Sequence, residues 1–592
     1  MIKNYLIVLY FFSRECVFTM NNVGGLINNA QGFNDILSSE ETRVYKYNGK
    51  TYVITYDGEI YNKDEIKSDL LGRGNYLNSA DEEELVLKAY ITWKEGCLER
   101  FEGVFSFGIW EVEGRKLFLA RDPIGAKSLF YSLFDGGIVF SNHIRYIFEC
   151  GEVKPEITYE GISELLVLGP SRRGTSAIFK NVAQLDAGSY MEYCIDSTRI
   201  FKYAEFEAYE NGEEFESVVD NIREIVIDSI LKQYSGEDEV CTLLSGGLDS
   251  SIVTAVVSDA VKHKGGKLKT FSVDYDGNDV YFKSNDFQPD NDNKWIDKMV
   301  SFLDTEHTTI KLPNESLVNS LQQAMLLRGF PGMGDIDTSL MLFCKEMGRH
   351  AKVGLGGECA DEVFGGYPWF HKDELKSSNF FPWIRSLEER AEYISKEIKE
   401  AFDVVGFARE VYEDELRKVP KLYSESDSER KIREVGYLTY KWFLPVLLER
   451  QDKMVRISDF KIRAPFCNFK LMKYVYNIPW AYKIYGGMEK GLLRYAFKDI
   501  LPDEITYRKK SPYPKTYNPF YTELIADKFK EIINNVDSPV LDILDRDSVL
   551  RLLENGNEAV RPWFGQLMKG PQVMAFFIQL NEWLKKYKVV IV

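Results

Sequence analysis

The run 245–251 (Ser-Gly-Gly-Leu-Asp-Ser-Ser) combines hydroxyls, glycines and one carboxylate in a pattern that suits phosphate chemistry. The apolar run 239–244 before it predicts an interior parallel strand, and apolar residues at helical spacing follow it. The two glycines let a ligand approach the backbone at a helix start, which favours an anion site. Asp249 fits that site if a divalent metal accompanies the anion. The alternative is an ordinary strand-to-helix turn with a capping serine.

A second segment brings three carboxylates together. Glu358, Asp361 and Glu362 follow another predicted strand, and their spacing places them on one helical turn. No Lys or Arg lies near them in the sequence, so a bound metal or a catalytic role would explain the cluster. A solvated acidic face is the alternative, but Gly, Val and Phe flank the cluster.

With these two segments the chain resembles the glutamine-hydrolysing asparagine synthetase family. The Ser-Gly-Gly-x-Asp-Ser run resembles the pyrophosphate loop of ATP pyrophosphatases, which split ATP into AMP and pyrophosphate while they adenylate a substrate. The other similar segments, in the family's order, are 357–370, 447–454, 463–466, 488–494 and 507–515. The resemblance covers residues 215–592 and implies an α/β parallel-sheet ATP pyrophosphatase domain with added helices.

Residues 1–205 resemble a class II glutamine amidotransferase domain, which implies an α+β layered sandwich. The segments that carry this resemblance are 56–62, 101–110 and 119–125. Alternating apolar residues in 104–110 and 116–120 also favour β-rich layers.

The resemblance further implies that the glutaminase is inactive. Such domains use an N-terminal cysteine whose own α-amino group activates the thiol, but the chain begins with Met1 and its first cysteine is Cys16. Asp57 stands where an asparagine would stabilise the oxyanion, and its charge would repel the developing negative charge. The remnants of the glutamine site are Asp57, Gly58, Glu59 and Glu82.

The resemblance also assigns roles around ATP and Mg²⁺, the expected cofactors. The residues expected to hold ATP are Leu244, Ser245, Gly246, Gly247, Asp249, Ser250, Val273, Gly356 and Gly357. Asp249 and Asp361 would hold Mg²⁺. Lys490 would stabilise charge at the α-phosphate and at the tetrahedral intermediate, and Glu358 would orient the amine or take its proton. For Lys490 the alternative is a solvated lysine in a turn rich in Glu and Lys.

The leading hypothesis is that the chain converts aspartate to asparagine through an aspartyl-adenylate, with ammonia that is not expected from its own glutaminase and is supplied freely or by residual hydrolysis. The acceptor region departs from the family pattern in 450–457, at Lys461 and at Asn468. The alternative is therefore a ligase similar to β-lactam synthetase, or one that forms peptide macrolactams, acting on another carboxylate. A third hypothesis is a non-catalytic nucleotide-binding regulator, against which the run 245–251 and Lys490 argue.

Composition agrees with a large enzyme of two or three domains, at 592 residues and 45% hydrophobic content. The formal charge of −17 argues against nucleic acid as a partner. Eight cysteines without Cys-x-x-Cys pairs indicate reduced thiols and a cytoplasmic protein, and no run reaches the roughly 20 apolar residues of a membrane span. The expected partners are small-molecule substrates, and the oligomeric state considered is a homodimer.

Periodicity predicts several individual elements. Residues 5–12 are expected to form a first strand, and residues 218–234 an amphipathic helix after a domain boundary at 203–215. The Asp- and Asn-rich run 274–293 is interpreted as a flexible insertion, either a lid over the nucleotide or a plain surface loop. Residues 386–402 are expected to form one long charged amphipathic helix.

Overall fold

The computed structural model describes residues 6–8, 24–28, 43–135, 137–236, 239–282, 284, 291–555 and 562–592. Two compact units divide the chain. The first unit comprises Met1–Gly161, Arg172–Glu205 and Tyr587–Val592, and the second comprises Ile162–Ser171 and Phe206–Lys586. Glu205 and Phe206 belong to different units.

Two short segments belong to a unit that is distant in sequence. In the first unit, the strand Val590–Ile591 pairs in parallel with Glu156–Ile157. In the second unit, Ser171 Oγ donates a hydrogen bond to the carbonyl of Trp442 at 3.1 Å. Local periodicity carries no signal for such pairings because both partners are remote along the chain.

The first unit contains two antiparallel sheets. The six-stranded sheet has the order Ser197–Lys202, Ser189–Cys194, Lys116–Arg121, Gly103–Glu111, Lys50–Ile60 and Arg43–Tyr47. The five-stranded sheet has the order Leu6–Val8, Gly24–Asn28, Gly137–Ser141, Phe130–Phe134 and Ala183–Gln184. The α-helices that lie wholly in this unit are Lys63–Gly72, Glu82–Trp93 and Ile144–Glu149, and the helix Tyr159–Ser163 begins in it.

Alternating side chains of the central strands separate two apolar cores in this unit. Ile54 packs in the core that contains Leu85 of the helix Glu82–Trp93. Its neighbour Val53 packs in the other core, with Phe140 of the five-stranded sheet. This period of two produces a helix layer and two sheet layers, so the predicted α+β layered sandwich is confirmed.

The second unit is built on a parallel five-stranded sheet. Its order is Glu306–Leu312, Lys269–Tyr275, Val240–Leu243, Val353–Leu355 and Lys461–Arg463. The predicted strand at 239–244 is confirmed as the buried central strand Val240–Leu243. Because the strands are parallel, the loops that follow Leu243, Tyr275 and Leu355 meet at one edge of the sheet.

Helices surround this sheet, which confirms the predicted α/β class. Those of eight or more residues are Phe215–Tyr234, Leu248–His263, Asn293–Leu303, Leu321–Arg328, Asp335–Met347, Val404–Arg417, Asp427–Leu438, Leu444–Met454, Phe469–Tyr476, Pro519–Asn534, Arg546–Asn555 and Gly570–Tyr587. The short helices Ala360–Phe364 and Gly491–Ala496 carry site residues. No helix in the described part of the chain is long and apolar enough to cross a membrane.

The helix predicted at 218–234 is present but begins three residues earlier, as Phe215–Tyr234. The Phe215 ring stacks on Tyr485, with ring centroids 4.3 Å apart. This tertiary contact extends the helix beyond the point where its own apolar period starts.

The prediction of one long helix at 386–402 is wrong. Two short helices, Leu387–Glu392 and Lys396–Ala401, take its place. Between them Ile394 forms a β-bridge with Leu544, and the Ser395 amide donates to the carbonyl of Ile543 at 2.7 Å. These distant hydrogen bonds outweigh the local helical preference.

Two further expectations fall partly outside the described residues. Within 5–12, Leu6–Val8 forms a strand paired with Gly24–Asn28, and the rest of the run lies outside the described residues. Within 274–293, the strand Lys269–Tyr275 continues into the run and the short helix Asn278–Tyr281 follows. Positions 283 and 285–290 lie outside the described residues, so the expectation of a lid or loop there stays a prediction.

Candidate active site

A cavity of about 250 Å³ opens at the carboxyl edge of the parallel sheet. Of the residues expected at the ATP site, those that line it are Leu244, Ser245, Gly247, Asp249, Ser250, Val273, Gly356, Gly357, Glu358, Asp361 and Lys490. The chain topology explains the convergence, because each segment follows a strand of the same sheet or packs against that edge.

Gly246 is the one expected ATP residue that does not line this cavity. Its φ of +67° lies in the left-handed region, and a Cβ there would approach the Trp295 backbone to 2.7 Å. The glycine is therefore required by the turn and by its contact with Trp295. The turn itself is held by Ser245 and Ser250, whose Oγ atoms lie 3.0 Å apart.

The two motifs touch at Gly357. A Cβ at this position would lie 2.7 Å from the Ser250 amide nitrogen and 2.8 Å from Asp249 Cβ. Any larger residue would push the acidic segment away from the start of the helix Leu248–His263. The glycine thus sets the distance between Asp249 and the carboxylates beyond it.

Lys490 joins the two motifs. Its Nζ lies 2.7 Å and 2.9 Å from the two carboxylate oxygens of Asp249, and 2.8 Å from Asp361 Oδ1. Lys490 is only 2% exposed and sits at φ +57°, just before the helix Gly491–Ala496. The alternative of a solvated lysine is therefore wrong.

Lys490, Asp249 and Asp361 form a triad, and their surroundings shift the pKa values of both aspartates. Burial raises the pKa of Asp249, and the opposing effect of Lys490 does not cancel it. At Asp361 burial also acts to raise the pKa, but Lys490 and Lys510 outweigh it and hold the value below the ordinary one. Two carboxylates and two ammonium groups thus face one another where the phosphates of a nucleotide would enter.

These two carboxylates suit Mg²⁺ as a donor set. Both carboxylates contact the same atom, Lys490 Nζ, and therefore lie close together. In proteins, Mg²⁺ is commonly held by one or two carboxylates together with substrate phosphates. No group of three or more Asp, Glu, His or Cys side chains that could hold a metal occurs within the described ranges. The residues present therefore fit an ion that arrives with a nucleotide, and Asp249 and Asp361 would hold it.

Glu358 lies apart from the triad. Arg450 Nη2 donates to Glu358 Oε1 at 3.3 Å, and the Glu358 side chain is 36% exposed. Arg450 is buried, and its Nε has no hydrogen-bond partner among the described residues. Its guanidinium lies 5.0 Å from the centre of the Tyr513 ring. A carboxylate and a guanidinium thus share one wall of the cavity.

The three carboxylates of the second segment, Glu358, Asp361 and Glu362, have different surroundings in the structure. Asp361 pairs with Lys490, and Glu358 pairs with Arg450. Glu362 is 2% exposed, and burial, with a contribution from Asp361, raises its pKa to about 8. Distant segments supply the cations, so sequence proximity could not reveal them.

Three residues that line the cavity were not assigned a role from the sequence: Arg450, Arg508 and Lys510. Arg508 and Lys510 belong to the segment 507–515. Arg508 Nη1 donates to the carbonyl of Ser245 at 3.1 Å, and its Nη2 bonds to Asp292. Lys510 Nζ lies 3.3 Å from Asp361 Oδ2. The density of Arg and Lys in 508–510 was the available signal.

In the first unit, the glutamine-site remnants cluster at the end of the strand Lys50–Ile60. Asp57 accepts a hydrogen bond from Asn142 Nδ2 at 2.7 Å and lies 3.0 Å from Lys127 Nζ. Gly58 is required by the sheet, because a Cβ there would meet the Val104 carbonyl at 2.4 Å.

Glu59 belongs to the same strand, paired with Val104. Glu82 accepts from the Tyr56 hydroxyl at 2.8 Å and from the Ile60 amide at 3.2 Å. Cys16 lies outside the described residues.

The family comparisons agree with both units. The asparagine synthase family matches residues 221–585, and the glutamine amidotransferase domain matches residues 39–204. Asparagine synthetase [glutamine-hydrolyzing] 3 of Bacillus subtilis is 38% identical over 94% of this chain and 90% of its own length. Asparagine synthetase [glutamine-hydrolyzing] 1 of the same organism is 26% identical over 86% and 82%. The Rattus norvegicus enzyme, asparagine synthetase [glutamine-hydrolyzing], is 24% identical over 84% and 78%.

Among solved structures, a glutamine phosphoribosylpyrophosphate amidotransferase from Bacillus subtilis covers 50% of this chain and 75% of its own at 10% identity. The TM-score of this match is 0.23. The family matches and the full-length relative, together with the convergence of Lys490, Asp249 and Asp361, lead to one conclusion: the chain belongs to the asparagine synthase family and is an ATP-dependent, AMP-forming carbon–nitrogen ligase.

Proposed function

We propose that this ligase converts aspartate to asparagine through an aspartyl-adenylate, with ammonia as the nitrogen donor. The observation that carries the proposal is the buried Lys490, which lies within 2.9 Å of both Asp249 and Asp361 in the cavity. This triad places one fixed positive charge where an α-phosphate would gain negative charge during attack. The name of the full-length relative supports aspartate as the acceptor.

The reaction divides into two displacements. An oxygen of the aspartate side-chain carboxylate attacks the α-phosphorus of ATP, and the bond to the β-phosphate oxygen breaks to release pyrophosphate. Lys490 stabilises the added negative charge on the α-phosphate oxygens. Mg²⁺, when bound with the nucleotide, would neutralise charge on the leaving pyrophosphate.

Ammonia then attacks the acyl carbon of the adenylate. The bond from that carbon to the phosphate oxygen breaks, AMP leaves, and the amide remains. Glu358 lines the same cavity and is partly exposed, so it can accept the proton that the attacking nitrogen loses.

Arg450 supports an acidic acceptor. It is buried, lines the cavity and has a guanidinium nitrogen without a partner among the described residues. An acceptor with a second carboxylate, as aspartate has, would form an ion pair with this guanidinium.

Within the regions that depart from the family pattern, Arg450 lines the cavity, whereas residues 451–457, Lys461 and Asn468 do not. Lys461 is exposed. Asn468 Oδ1 accepts from the Leu471 amide at 3.2 Å and so caps the helix Phe469–Tyr476. The changed residues Lys453 and Arg456 both pair with Asp452, and Lys453 Nζ lies 2.9 Å from Asp452 Oδ2. Since none of the changed residues lines the cavity, these changes give no support to a different carboxylate.

We propose further that the first unit does not supply the ammonia. Asp57 is held by Lys127 and Asn142, and a carboxylate has no N–H group to donate to an oxyanion. Glu82 is occupied by the Tyr56 hydroxyl and the Ile60 amide. The expected donor is therefore free ammonia.

The test measures pyrophosphate and asparagine formed from ATP, Mg²⁺ and aspartate, with either ammonium or glutamine. We expect both products with ammonium and only background with glutamine. Equal rates with glutamine would overturn the proposal about the first unit. No product with aspartate, despite ATP binding, would overturn aspartate as acceptor and favour a ligase that uses another carboxylate and an internal amine.

A further inference from the structure

A second cavity, of about 300 Å³, lies in the second unit and is lined by side chains from four separate segments. These segments are 209–211, 362–370, 422–440 and 476–483. Its volume is at the lower end of the range of small-molecule sites. Glu362 lines both this cavity and the ATP cavity.

The acidic side chains that line the second cavity already have partners. Glu425 pairs with Arg433 Nε at 2.7 Å, and Glu429 accepts from the Ser426 hydroxyl at 2.7 Å. Glu210 accepts from Ser424 Oγ at 2.5 Å, and Glu362 accepts from the Tyr367 hydroxyl at 2.7 Å. None of these carboxylates forms an ion pair with the lysine described next.

Lys483 is the unusual group in this cavity. Its ammonium forms no hydrogen bond or ion pair with any other side chain in the described ranges, although it lines the cavity and is half-buried. Burial and then the neighbouring Arg433 guanidinium lower the pKa of Lys483 to about 7. A cation with no counter-charge beside a second cation is the arrangement that an anionic ligand would relieve.

Arg433 adds to this anion-binding character. Its Nε is used by Glu425 and its Nη1 lies 3.4 Å from Asn477 Oδ1. The Asn477 side chain is 4% exposed and is fixed by the Tyr209 amide, which donates to its Oδ1 at 2.9 Å. The guanidinium is thus held in place with donors to spare, as a planar oxyanion requires.

Aromatic rings form the rest of the wall. Trp480 stacks on Phe370 with ring centroids 5.7 Å apart, and Tyr440 and Tyr476 complete the surface. Gly365 leaves room for this arrangement, because a Cβ there would lie 2.7 Å from the Trp480 ring. Such a wall favours a flat or apolar ligand body over an inorganic anion.

We propose that this second cavity binds a small organic carboxylate with an aromatic body, its carboxylate on Lys483 and Arg433 and its body against Trp480. The ligand would supply the counter-charge that Lys483 lacks. The site is separate from the proposed ATP and acceptor cavity, and the inference does not depend on the proposed function.

The test uses phenylacetate as the probe, with phenylacetamide as the neutral compound of the same shape. Calorimetric titration of the full chain should show saturable binding of phenylacetate and about tenfold weaker binding of phenylacetamide, because a charged hydrogen bond is lost. Lys483→Met should lose about tenfold in affinity, and Lys483→Arg should keep it. Lys498→Met, which changes an exposed lysine, is the matched control.

Two further measurements keep the proposal falsifiable. Arg450→Ala should bind phenylacetate like the wild type, whereas loss in this variant alone would place the probe in the ATP cavity and overturn the proposal. In the unmodified chain, phenylacetate should slow acetylation of Lys483 by acetic anhydride but leave Lys498 unaffected, as read by peptide mass. No saturable binding, or no protection of Lys483, would also overturn it.

Discussion

Lys490 Nζ lies 2.7 Å from Asp249 Oδ2, although 241 positions separate the two residues in the chain. The contact forms because the pyrophosphate-loop segment and the segment 488–494 both reach the carboxyl edge of one parallel sheet. It places a buried cation between two acidic motifs, and the account of catalysis depends on it.

Replacing Lys490 by Ala should lower pyrophosphate release about 100-fold or more, because one fixed charge at the transition state is lost. The variant should also be less stable, by about 1 to 3 kcal/mol, since two partly buried carboxylates would lose their shared partner. Lys498→Ala, at an exposed position, is the control. A Lys490→Ala variant within threefold of wild-type activity would contradict the assigned role.

Gly246 and Gly247 are adjacent, but their substitutions should have different effects. Gly246→Ala should lower the unfolding temperature, because φ is +67° and a Cβ would collide with the Trp295 backbone. Gly247 lines the cavity, and the nearest atom to its Cβ position is Ser245 Oγ at 3.3 Å. Gly247→Ala should therefore keep the unfolding temperature and raise the KM for ATP. Equal thermal shifts in the two variants would refute this distinction.

The fold class and the segments around Asp249 and Glu358 could be recognised from the sequence, because the patterns that indicate them are local. A buried strand, a glycine turn and an amphipathic helix leave a pattern within about 25 residues, as around Asp249. The interruption at Tyr393–Ser395 could not be predicted, because the Ile543 carbonyl that holds Ser395 lies far along the chain. For the same reason the sequence could not show which carboxylates Lys490 and Arg450 pair with.

Arg450 shows this limit most clearly. Sequence similarity placed it in an acceptor region that also contained Lys461 and Asn468, and only the structure separates them. Arg450 lines the cavity, Lys461 is exposed, and Asn468 caps a helix. Spacing along the chain carries no information about which of these side chains faces the ligand.

Arg450→Ala should raise the KM for aspartate about tenfold or more and change the KM for ATP little, because the lost contact is to the acceptor. Lys461→Ala should leave both constants unchanged. Circular dichroism would show that the Arg450 variant is folded. An unchanged KM for aspartate in a folded Arg450→Ala variant would exclude this residue from acceptor binding.

Glu362 should make stability depend on pH. Its pKa is about 8 in the folded chain against 4.5 as the ordinary value, so the folded state holds a proton that the unfolded state releases. The stabilising contribution is complete below about pH 4.5 and falls by about 1.4 kcal/mol per unit until about pH 8.

Glu362→Gln keeps a carbonyl oxygen for the Tyr367 hydroxyl and removes the titration. The unfolding temperature of this variant should therefore fall less than that of the wild type when the pH is raised from about 5.5 to about 8, a range in which only the wild type titrates Glu362. Glu389→Gln, at an exposed position, controls for the change in net charge. Parallel pH profiles for the wild type and Glu362→Gln would contradict a protonated Glu362.

The most direct test of the proposed chemistry follows one oxygen atom. Aspartate labelled with ¹⁸O in its side-chain carboxylate is incubated with the full chain, ATP, Mg²⁺ and ammonium, and the AMP is analysed by mass spectrometry. Attack on the α-phosphorus, followed by displacement of AMP, transfers one ¹⁸O to each AMP phosphate, and the account predicts this result. Unlabelled AMP, or label in the pyrophosphate, would contradict an aspartyl-adenylate.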